Sequence, residues 1–352
     1  MKELLRTLVD LPGPCGFEQP VIKYLYERLA PIADEIRVNG LGDLIVVKKG
    51  AFEGPTLAVS AHSDEVGMIV KKIENSGLIR FEKLGGGDDR MYLSERVFVN
   101  SENGQHPGVI GLISAHMTKF DDAKLVRDHR KLYIDVGAAD GDEVRAMGIR
   151  VGDCITWASS LSDAGSHRVF GHAFDDRAGC CALAWALEHV DFSKVHGTVI
   201  GIFSTQEEVG LRGARAAANS LHPDVALAID TTAVSDTPEP MMDKTLSLGD
   251  GAGIKIMDFS LIAAKKVWKF LEQLAEEQNI PHQMEVFLGI GTDGGTLHMD
   301  VEGGVPTGVI SIPTRYAHSS VEMMDWGDFE ASEKLLEAFM LGMRSKEQFA
   351  FI

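Results

Sequence analysis

The sequence predicts an α/β fold in which a mostly parallel central sheet, flanked by helices, is interrupted by a small inserted β-barrel. In the outer parts of the chain, amphipathic helical segments alternate with short apolar runs, an order that yields parallel strands joined by crossover helices. Between residues 66 and 162, short strand-like runs instead follow one another between Gly- and Asp-rich turns, which is typical of a small barrel or sandwich. We therefore predict two domains, one formed by residues 1–65 and 163–352 and the other by residues 66–162.

The elements of the larger domain follow from the spacing of apolar residues. Before the insert, two helical segments at residues 4–9 and 18–30 are separated by a Pro- and Gly-containing turn. The stretch "EIRVNGLGDLIVVKK" alternates around an Asn-Gly pair, which predicts a β-hairpin, and "TLAVSAH" is a buried strand in pattern. After the insert, helices and strands alternate through the segments "DDRAGCCALAWALEHV", "GTVIGIFST", "GLRGARAAANS", "VALAID", "LIAAKKVWKFLEQLAEEQ", "HQMEVF", "TGVISIPT" and "DFEASEKLLEAFMLGMRS".

Composition excludes several classes of protein. The chain has 52 acidic and 34 basic residues, a formal net charge of −18, so we expect it to bind neither nucleic acid nor an anionic membrane. No stretch approaches the roughly 20 apolar residues that span a bilayer, and the start lacks the apolar core of a signal peptide. We therefore expect a cytoplasmic protein with reduced cysteines, at positions Cys15, Cys154, Cys180 and Cys181.

Acidic residues and histidines follow several of the predicted strands. Because the carboxyl ends of parallel strands meet at one edge of a sheet, these side chains are expected to converge there. They are His62 and Asp64 after "TLAVSA", Glu207 and Glu208 after "GIFSTQ", Asp230 after "VALAI", and His318 after "GVISI". Asp175 and Asp176 join them at the start of a predicted helix. Each taken alone could be a solvated loop residue, a surface histidine or a helix N-cap, but convergence favours a common site.

The residue types at this edge favour a metal site. In an extended segment residues two apart point the same way, so Asp64 can reach the ring of His62 and fix its tautomer. Two histidines with several carboxylates suit Zn²⁺, Co²⁺ or Mn²⁺ better than Ca²⁺, which prefers oxygen ligands. Two such ions would need a bridging carboxylate, and hydrolysis is the chemistry that such a pair promotes.

The motifs "AHSDEVG", "DDRAG", "QEEVG", "AID" and "YAHSS", in this order, resemble the M42 family of metallo-aminopeptidases, which includes glutamyl aminopeptidases and the tetrahedral peptidases. The resemblance extends to "GPCGFE" near the start and "IGTDGG" near the end. It implies a zinc-exopeptidase-like α/β domain and a dimerisation role for the inserted barrel. It also implies a homo-oligomer, from a dimer to a dodecamer.

The resemblance further implies two divalent metal ions and a set of ligands for each of them. Zn²⁺ is the first expectation and Co²⁺ the second. Asp175 would bridge the two ions. His62 and Asp230 would complete one site, and Glu208 and His318 would complete the other.

Other positions receive roles from the same resemblance. Glu207 is expected to act as general base, Asp64 to orient His62, and the peptide bond between Asp175 and Asp176 to be cis. Cys15 stands where the family usually has a small hydroxyl residue, and we assign it no catalytic role.

Thr292 and Asp293, in "GIGTDGG", are expected to line the substrate pocket, although a glycine-rich loop with an N-capped helix explains them equally well.

The function implied is a metal-dependent aminopeptidase that removes the N-terminal residue from peptides with a free N-terminus. A deacylase or another amide hydrolase on the same two-metal site is the main alternative. A catalytically silent scaffold is a second, which the intact set of chemical residues disfavours. A glucanase ranks lower, because a two-metal site lacks the acid and nucleophile pair that glycosidases commonly use.

Overall fold

The computed structural model describes residues 1–120, 125–299 and 303–352. Within these ranges the chain forms seventeen strands and eight α-helices. The strands are β1 (Glu35–Val38), β2 (Leu44–Lys49), β3 (Phe52–His62), β4 (Gly67–Ile73), β5 (Ile79–Leu84), β6 (Arg96–Ser101), β7 (Gly104–Ile110), β8 (Ile134–Asp135), β9 (Cys154–Trp157), β10 (Ser162–Ala164), β11 (Arg168–Gly171), β12 (His196–Ser204), β13 (Val225–Ala233), β14 (Ala252–Met257), β15 (His282–Val286), β16 (Thr307–Arg315) and β17 (Glu322–Asp325). The helices are α1 (Lys2–Asp10), α2 (Gln19–Leu29), α3 (Gly141–Ala146), α4 (Phe174–His189), α5 (Arg212–Leu221), α6 (Lys265–Glu277), α7 (Gly294–Leu297) and α8 (Trp326–Gly342). None of the helices in these ranges is long and apolar enough to cross a membrane.

The large sheet has a parallel centre and antiparallel flanks. Its order is β1-β2-β12-β3-β13-β16-β17-β11-β10, and β14 pairs with β16 and with β15. Strands β12, β3, β13 and β16 are parallel to their neighbours within this group, because each connection between them contains a helix that crosses a face of the sheet. The outer hairpins β1-β2 and β10-β11 are antiparallel. The predicted fold class is confirmed, and the hairpins make the sheet as a whole mixed.

The middle of the chain forms a closed barrel. Six strands pair in the order β4-β5-β8-β7-β6-β9, all of them antiparallel to their neighbours. Inward-facing side chains such as Phe81, Val97 and Ile155 fill the interior and give the barrel a core of its own. The chain then returns to the edge of the large sheet through β10 and β11.

Helix α4 is buried at the centre of the protein because both of its faces are covered. One face contacts β3 and β13, and the other contacts α1 and α8. The mostly small side chains from Ala178 to Ala184 permit this close packing. A helix that is buried on all sides is also expected to be apolar on all sides. The sequence "AGCCALA" has this pattern, so Cys180 and Cys181 are core residues without disulfide partners.

Strand β14 is not predicted from the pattern of apolar residues, because a buried charged residue interrupts its apolar run. Lys255 is fully buried, and its Nζ lies 2.8 Å from Oε1 of Glu285 on β15. The same carboxylate oxygen accepts a hydrogen bond from Thr232 Oγ1 on β13 at 2.6 Å. Farther along, the helix predicted from residue 261 begins as α6 at Lys265, because Ala263 N donates to a β14 carbonyl instead of continuing a helix.

Replacing Lys255 with Met is expected to destabilise the fold by about 3–5 kcal/mol, because the carboxylate of Glu285 is left buried without its cation. The double variant Lys255→Met with Glu285→Leu should recover most of this loss, since it removes both charges. Urea unfolding followed by circular dichroism measures the difference. Equal destabilisation of the single and double variants would contradict the pairing.

Candidate metal centre and active site

The predicted strand ends converge on one cavity at the edge of the parallel strands. Strand β3 ends at His62, β13 carries Asp230, and α4 begins next to Asp175. Glu208 follows β12, and His318 follows β16. These five side chains and that of Glu207 line a cavity of about 590 Å³.

Asp175 lies between the two histidines. Its Oδ1 is 3.0 Å from Nε2 of His62, and its Oδ2 is 3.3 Å from Nε2 of His318. Asp230 Oδ1 lies 3.7 Å from the same His62 nitrogen, and Glu208 Oε1 lies 3.1 Å from that of His318. Two groups of possible ligand atoms therefore share Asp175, and within each group all of the atoms lie within 4.8 Å of one another.

The residues present fit a pair of divalent cations. Each group offers one imidazole nitrogen and two carboxylate oxygens, a donor set that suits Zn²⁺ or Co²⁺. Burial raises the pKa of Asp230 and of Glu208, because neither carboxylate can be ionised cheaply away from water. Among the described residues that line the cavity, none is Lys or Arg, so bound cations would supply the missing positive charge.

Asp64 lies directly behind this site and holds the two adjacent glutamates. Its Oδ1 accepts a hydrogen bond from Glu207 N at 3.0 Å, and its Oδ2 accepts one from Glu208 N at 3.1 Å. The same carboxylate lies 3.5 Å from Nδ1 of His62, a contact longer than these two bonds. Although burial alone would raise it, the pKa of Asp64 is lowered by His62 and by the two amides, so Asp64 stays ionised.

The loop that carries the two glutamates is fixed at each of four consecutive backbone amides. Thr205 N donates to the buried carboxylate of Asp43 at 2.9 Å, and Gln206 N donates to that of Glu18 at 3.1 Å. The next two amides are those bound by Asp64. Glu207 is thereby held at the cavity with only 8% of its surface exposed, and burial raises its pKa well above the usual range.

Asp176 positions His62 from the start of α4. Its Oδ2 accepts a hydrogen bond from His62 N at 3.1 Å, and its Oδ1 accepts one from Gly179 N at 2.9 Å. A Cβ at Gly179 would lie 2.3 Å from Asp176 Oδ1, so the glycine of "DDRAG" makes room for this carboxylate. The peptide bond between Asp175 and Asp176 is cis, as predicted.

Glu322 is a site residue that the sequence did not reveal. It is buried on β17, where its Oε2 accepts a hydrogen bond from Asp175 N at 3.1 Å and its Oε1 accepts one from His318 N at 3.0 Å. One carboxylate thus joins the backbones of two residues that come from distant parts of the chain. No motif marks it, because "SSVEMM" offers only a lone acid four residues after His318.

The barrel also reaches the site, through a triple glycine after β5. A Cβ at Gly85 would lie 3.1 Å from Glu208 Cβ, and one at Gly86 would lie 3.1 Å from Nδ1 of His318. Side chains at these positions would push against both residues. The glycines of "GGGDD" therefore allow the inserted barrel to contact the candidate metal centre closely.

Thr292 and Asp293 lie behind the cavity wall and not on it. Thr292 is fully buried, and its Oγ1 is 3.4 Å from Oδ2 of Asp258. Asp293 accepts hydrogen bonds from the hydroxyl groups of Ser60 and Ser204 at 2.6 and 2.5 Å, and burial raises its pKa to about 6. Either residue could therefore influence a bound substrate only through the neighbouring residues that line the cavity.

Cys15 is buried beside the site, and its Sγ lies 3.6 Å from the carbonyl oxygen of Glu65. Burial, together with the negative charges of Asp64 and Glu208, raises the pKa of this thiol. A raised thiol pKa disfavours the thiolate that a cysteine nucleophile needs.

Comparison with known proteins places the whole chain in one family. The family profile described as M42 glutamyl aminopeptidase matches residues 42–335. The lysyl aminopeptidase of Pyrococcus furiosus is 31% identical over 343 residues, which cover 96% of each chain. An aminopeptidase structure from the archaeon Desulfurococcus kamchatkensis superposes with a TM-score of 0.93 at 38% identity, covering 99% of this chain and 96% of that one.

A further structure is that of the Pyrococcus horikoshii TET1 peptidase, which can assemble into a tetrahedron or a large octahedral shell. It superposes with a TM-score of 0.87 at 31% identity, covering 97% of this chain and 99% of that one. The profile match, the identity and the shared fold extend over both the α/β part and the barrel. The chain belongs to the M42 glutamyl aminopeptidase family.

Proposed function

We propose that this chain is a metal-dependent aminopeptidase that removes the N-terminal residue from peptides. The observation that carries the proposal is the position of Asp175, whose two carboxylate oxygens face different histidines at 3.0 and 3.3 Å. A carboxylate in this position is suited to bridge two metal ions, and membership of the M42 family supports peptide hydrolysis as the reaction.

In the proposed site, Asp175 would contribute to both of two divalent ions, Zn²⁺ or Co²⁺. His62 and Asp230 would hold one ion with it, and Glu208 and His318 would hold the other. When bound, the two ions supply Lewis acidity and positive charge at the reacting carbonyl. Asp64, as proposed from the sequence, keeps the ring of His62 in the orientation that exposes Nε2.

Glu207 is the proposed general base. Its carboxylate lines the cavity beside the ligand groups, and its backbone is held by Asp64, so it can accept a proton from the attacking water. The same group then delivers this proton to the nitrogen of the leaving peptide. A buried carboxylate with a raised pKa is suited to hold the proton between these two events.

A free N-terminal amine on the substrate matches the charge of the cavity. Acidic side chains dominate its polar lining, so an ammonium group is attracted where a carboxylate would be repelled. This supports removal of terminal residues and disfavours a substrate whose amine is blocked. A deacylase of N-modified amino acids remains the alternative on the same residues.

We also propose that the protein forms a homo-oligomer through its inserted barrel, residues 66–162. Large apolar side chains are exposed on the barrel, among them Leu112, Ile113, Met117 and Leu125. Exposed apolar side chains of this size are available for contacts with another subunit. The assembly of the related Pyrococcus horikoshii peptidase supports a closed multi-subunit shell.

Removing metal with dipicolinate is expected to abolish hydrolysis of aminoacyl p-nitroanilides, because the ligand groups would lose the charge that organises the site. Adding Zn²⁺ or Co²⁺ to the stripped protein should restore it, with two ions bound per chain by elemental analysis. The N-acetylated forms of the same substrates should not be cleaved. Activity that survives complete metal removal would refute the metal dependence, and equal cleavage of acetylated substrates would favour the deacylase.

Replacing Glu207 with Gln is expected to lower kcat by roughly 10²–10⁴-fold, the usual contribution of a general acid-base residue. Metal content and thermal stability should stay as in the parent protein, since the backbone contact with Asp64 does not involve the side chain. The exposed residue Glu276 provides a matched control through Glu276→Gln. Near-normal turnover by the Glu207 variant would remove it from the mechanism.

Replacing Glu322 with Gln is expected to weaken metal binding by about 10–100-fold, the range found when a residue that orients ligands is changed. The amide nitrogen would face the backbone N–H of Asp175 or of His318 and leave one of them without an acceptor. Competition with a chromogenic chelator measures the affinity, and the exposed Glu347→Gln serves as control. Unchanged affinity would show that this carboxylate does not hold the ligands in place.

A further inference from the structure

The cavity has a second wall that the proposed chemistry does not use. Away from the candidate ligands, it is lined by Met91 from the barrel, Leu211 after the glutamate loop, and Phe259 and Ile290 from two adjacent turns. The end of β13, with Thr231 to Ala233, also lines the cavity. The cavity therefore offers an apolar surface next to the reaction centre.

Phe259 is held in place although 70% of its surface is exposed. The carboxylate of Asp258 accepts hydrogen bonds from the backbone of Ser260 and of Leu261, both at 2.7 Å, and fixes the turn. Phe259 N donates to the carbonyl of Ile290 at 3.2 Å. A rigid turn that presents an aromatic ring to solvent loses little further entropy when a ligand covers that ring.

Gly291 lies directly beneath the ring. A Cβ at this position would lie 2.8 Å from Cε1 of Phe259, so glycine lets the ring rest on the neighbouring turn. Thr292 can act on the cavity only through this turn, because its hydroxyl group faces the carboxylate of Asp258, which fixes the turn.

Apart from the two histidines of the candidate metal centre, the described lining of the cavity has no side chain that could pair with an acidic substrate residue. Among the described lining residues none is Lys or Arg, and the buried Lys255 behind Thr232 is already paired with Glu285. Asp88, at the rim, accepts hydrogen bonds from the backbone and the guanidinium group of Arg90. An acidic side chain placed against this wall would lose water without gaining a partner, and it would face the carboxylates of the candidate ligands.

We infer that the aminopeptidase prefers peptides with an apolar N-terminal residue to peptides with an acidic one, with Phe259 as the residue that determines this preference. The inference rests on the proposed function, since it assigns a substrate class to the same cavity. Leucine, methionine and phenylalanine side chains would pack against Phe259 and Ile290, while glutamate would be discriminated against. Acceptance of these apolar residues depends on contact area and not on a single hydrogen bond.

Kinetic measurements on a panel of aminoacyl p-nitroanilides with metal-loaded protein test the preference. We expect kcat/KM for the leucyl, methionyl and phenylalanyl substrates to exceed that for the glutamyl substrate by about 100-fold, the penalty for desolvating a charge without a partner. Cleavage of the glutamyl substrate at an equal or higher rate would overturn the inference and leave the proposed function intact. Cleavage of none would refute the proposed function itself.

Three variants test the role of Phe259. Phe259→Ala should lower kcat/KM for the leucyl substrate by about 10-fold or more, the value of one well-packed contact, and leave the alanyl substrate nearly unchanged. Ile262→Ala is the matched control, because Ile262 is 73% exposed near the same turn but does not line the cavity. Phe259→Lys should raise cleavage of the glutamyl substrate relative to the leucyl one. Equal losses on the alanyl and leucyl substrates, or no loss on either, would overturn the assignment.

Discussion

Negative charge concentrated at one sheet edge is the constraint on which the rest of the site depends. Asp175, Glu207, Glu208 and Asp230 line a single cavity, and two unit charges 4 Å apart at an effective dielectric constant of 20 repel by about 4 kcal/mol. Without metal, protonated histidines between the carboxylates would offset part of this repulsion. The rest calls for bound cations, and the requirement for cations explains why a fold would tolerate so costly an arrangement.

A second layer of buried carboxylates holds the first in place through the backbone. Asp64, Asp176 and Glu322 accept hydrogen bonds from the amides of His62, Asp175, Glu207, Glu208 and His318. Anchoring the main chain leaves the side chains of the inner layer free to bind metal or move a proton. It also explains the adjacent glutamates, because one carboxylate can secure two successive amides while the side chains of successive residues diverge.

The inserted barrel contributes residues to the same site. Gly85 and Gly86 of its triple glycine lie close to Glu208 and His318, and Met91 lines the cavity together with Phe259. A substrate in this cavity would therefore touch both parts of the chain. Assembly through the barrel, as proposed, would couple subunit contacts to the geometry of the cavity, since the barrel lies directly against the proposed ligands.

The sequence by itself determined the α/β fold with its inserted barrel and the residues that meet at the strand ends. These follow from local periodicity and from the rule that parallel strands share one carboxyl edge. Only the tertiary structure decided the contacts that join distant segments. No local pattern in the sequence marks three of these features: the pairing of Lys255 with Glu285, the two hydrogen bonds accepted by Glu322, and the burial of Thr292 and Asp293. Their partners are brought together by packing, and a charge or a lone acid inside a strand can be assigned a role only when its neighbours in space are known.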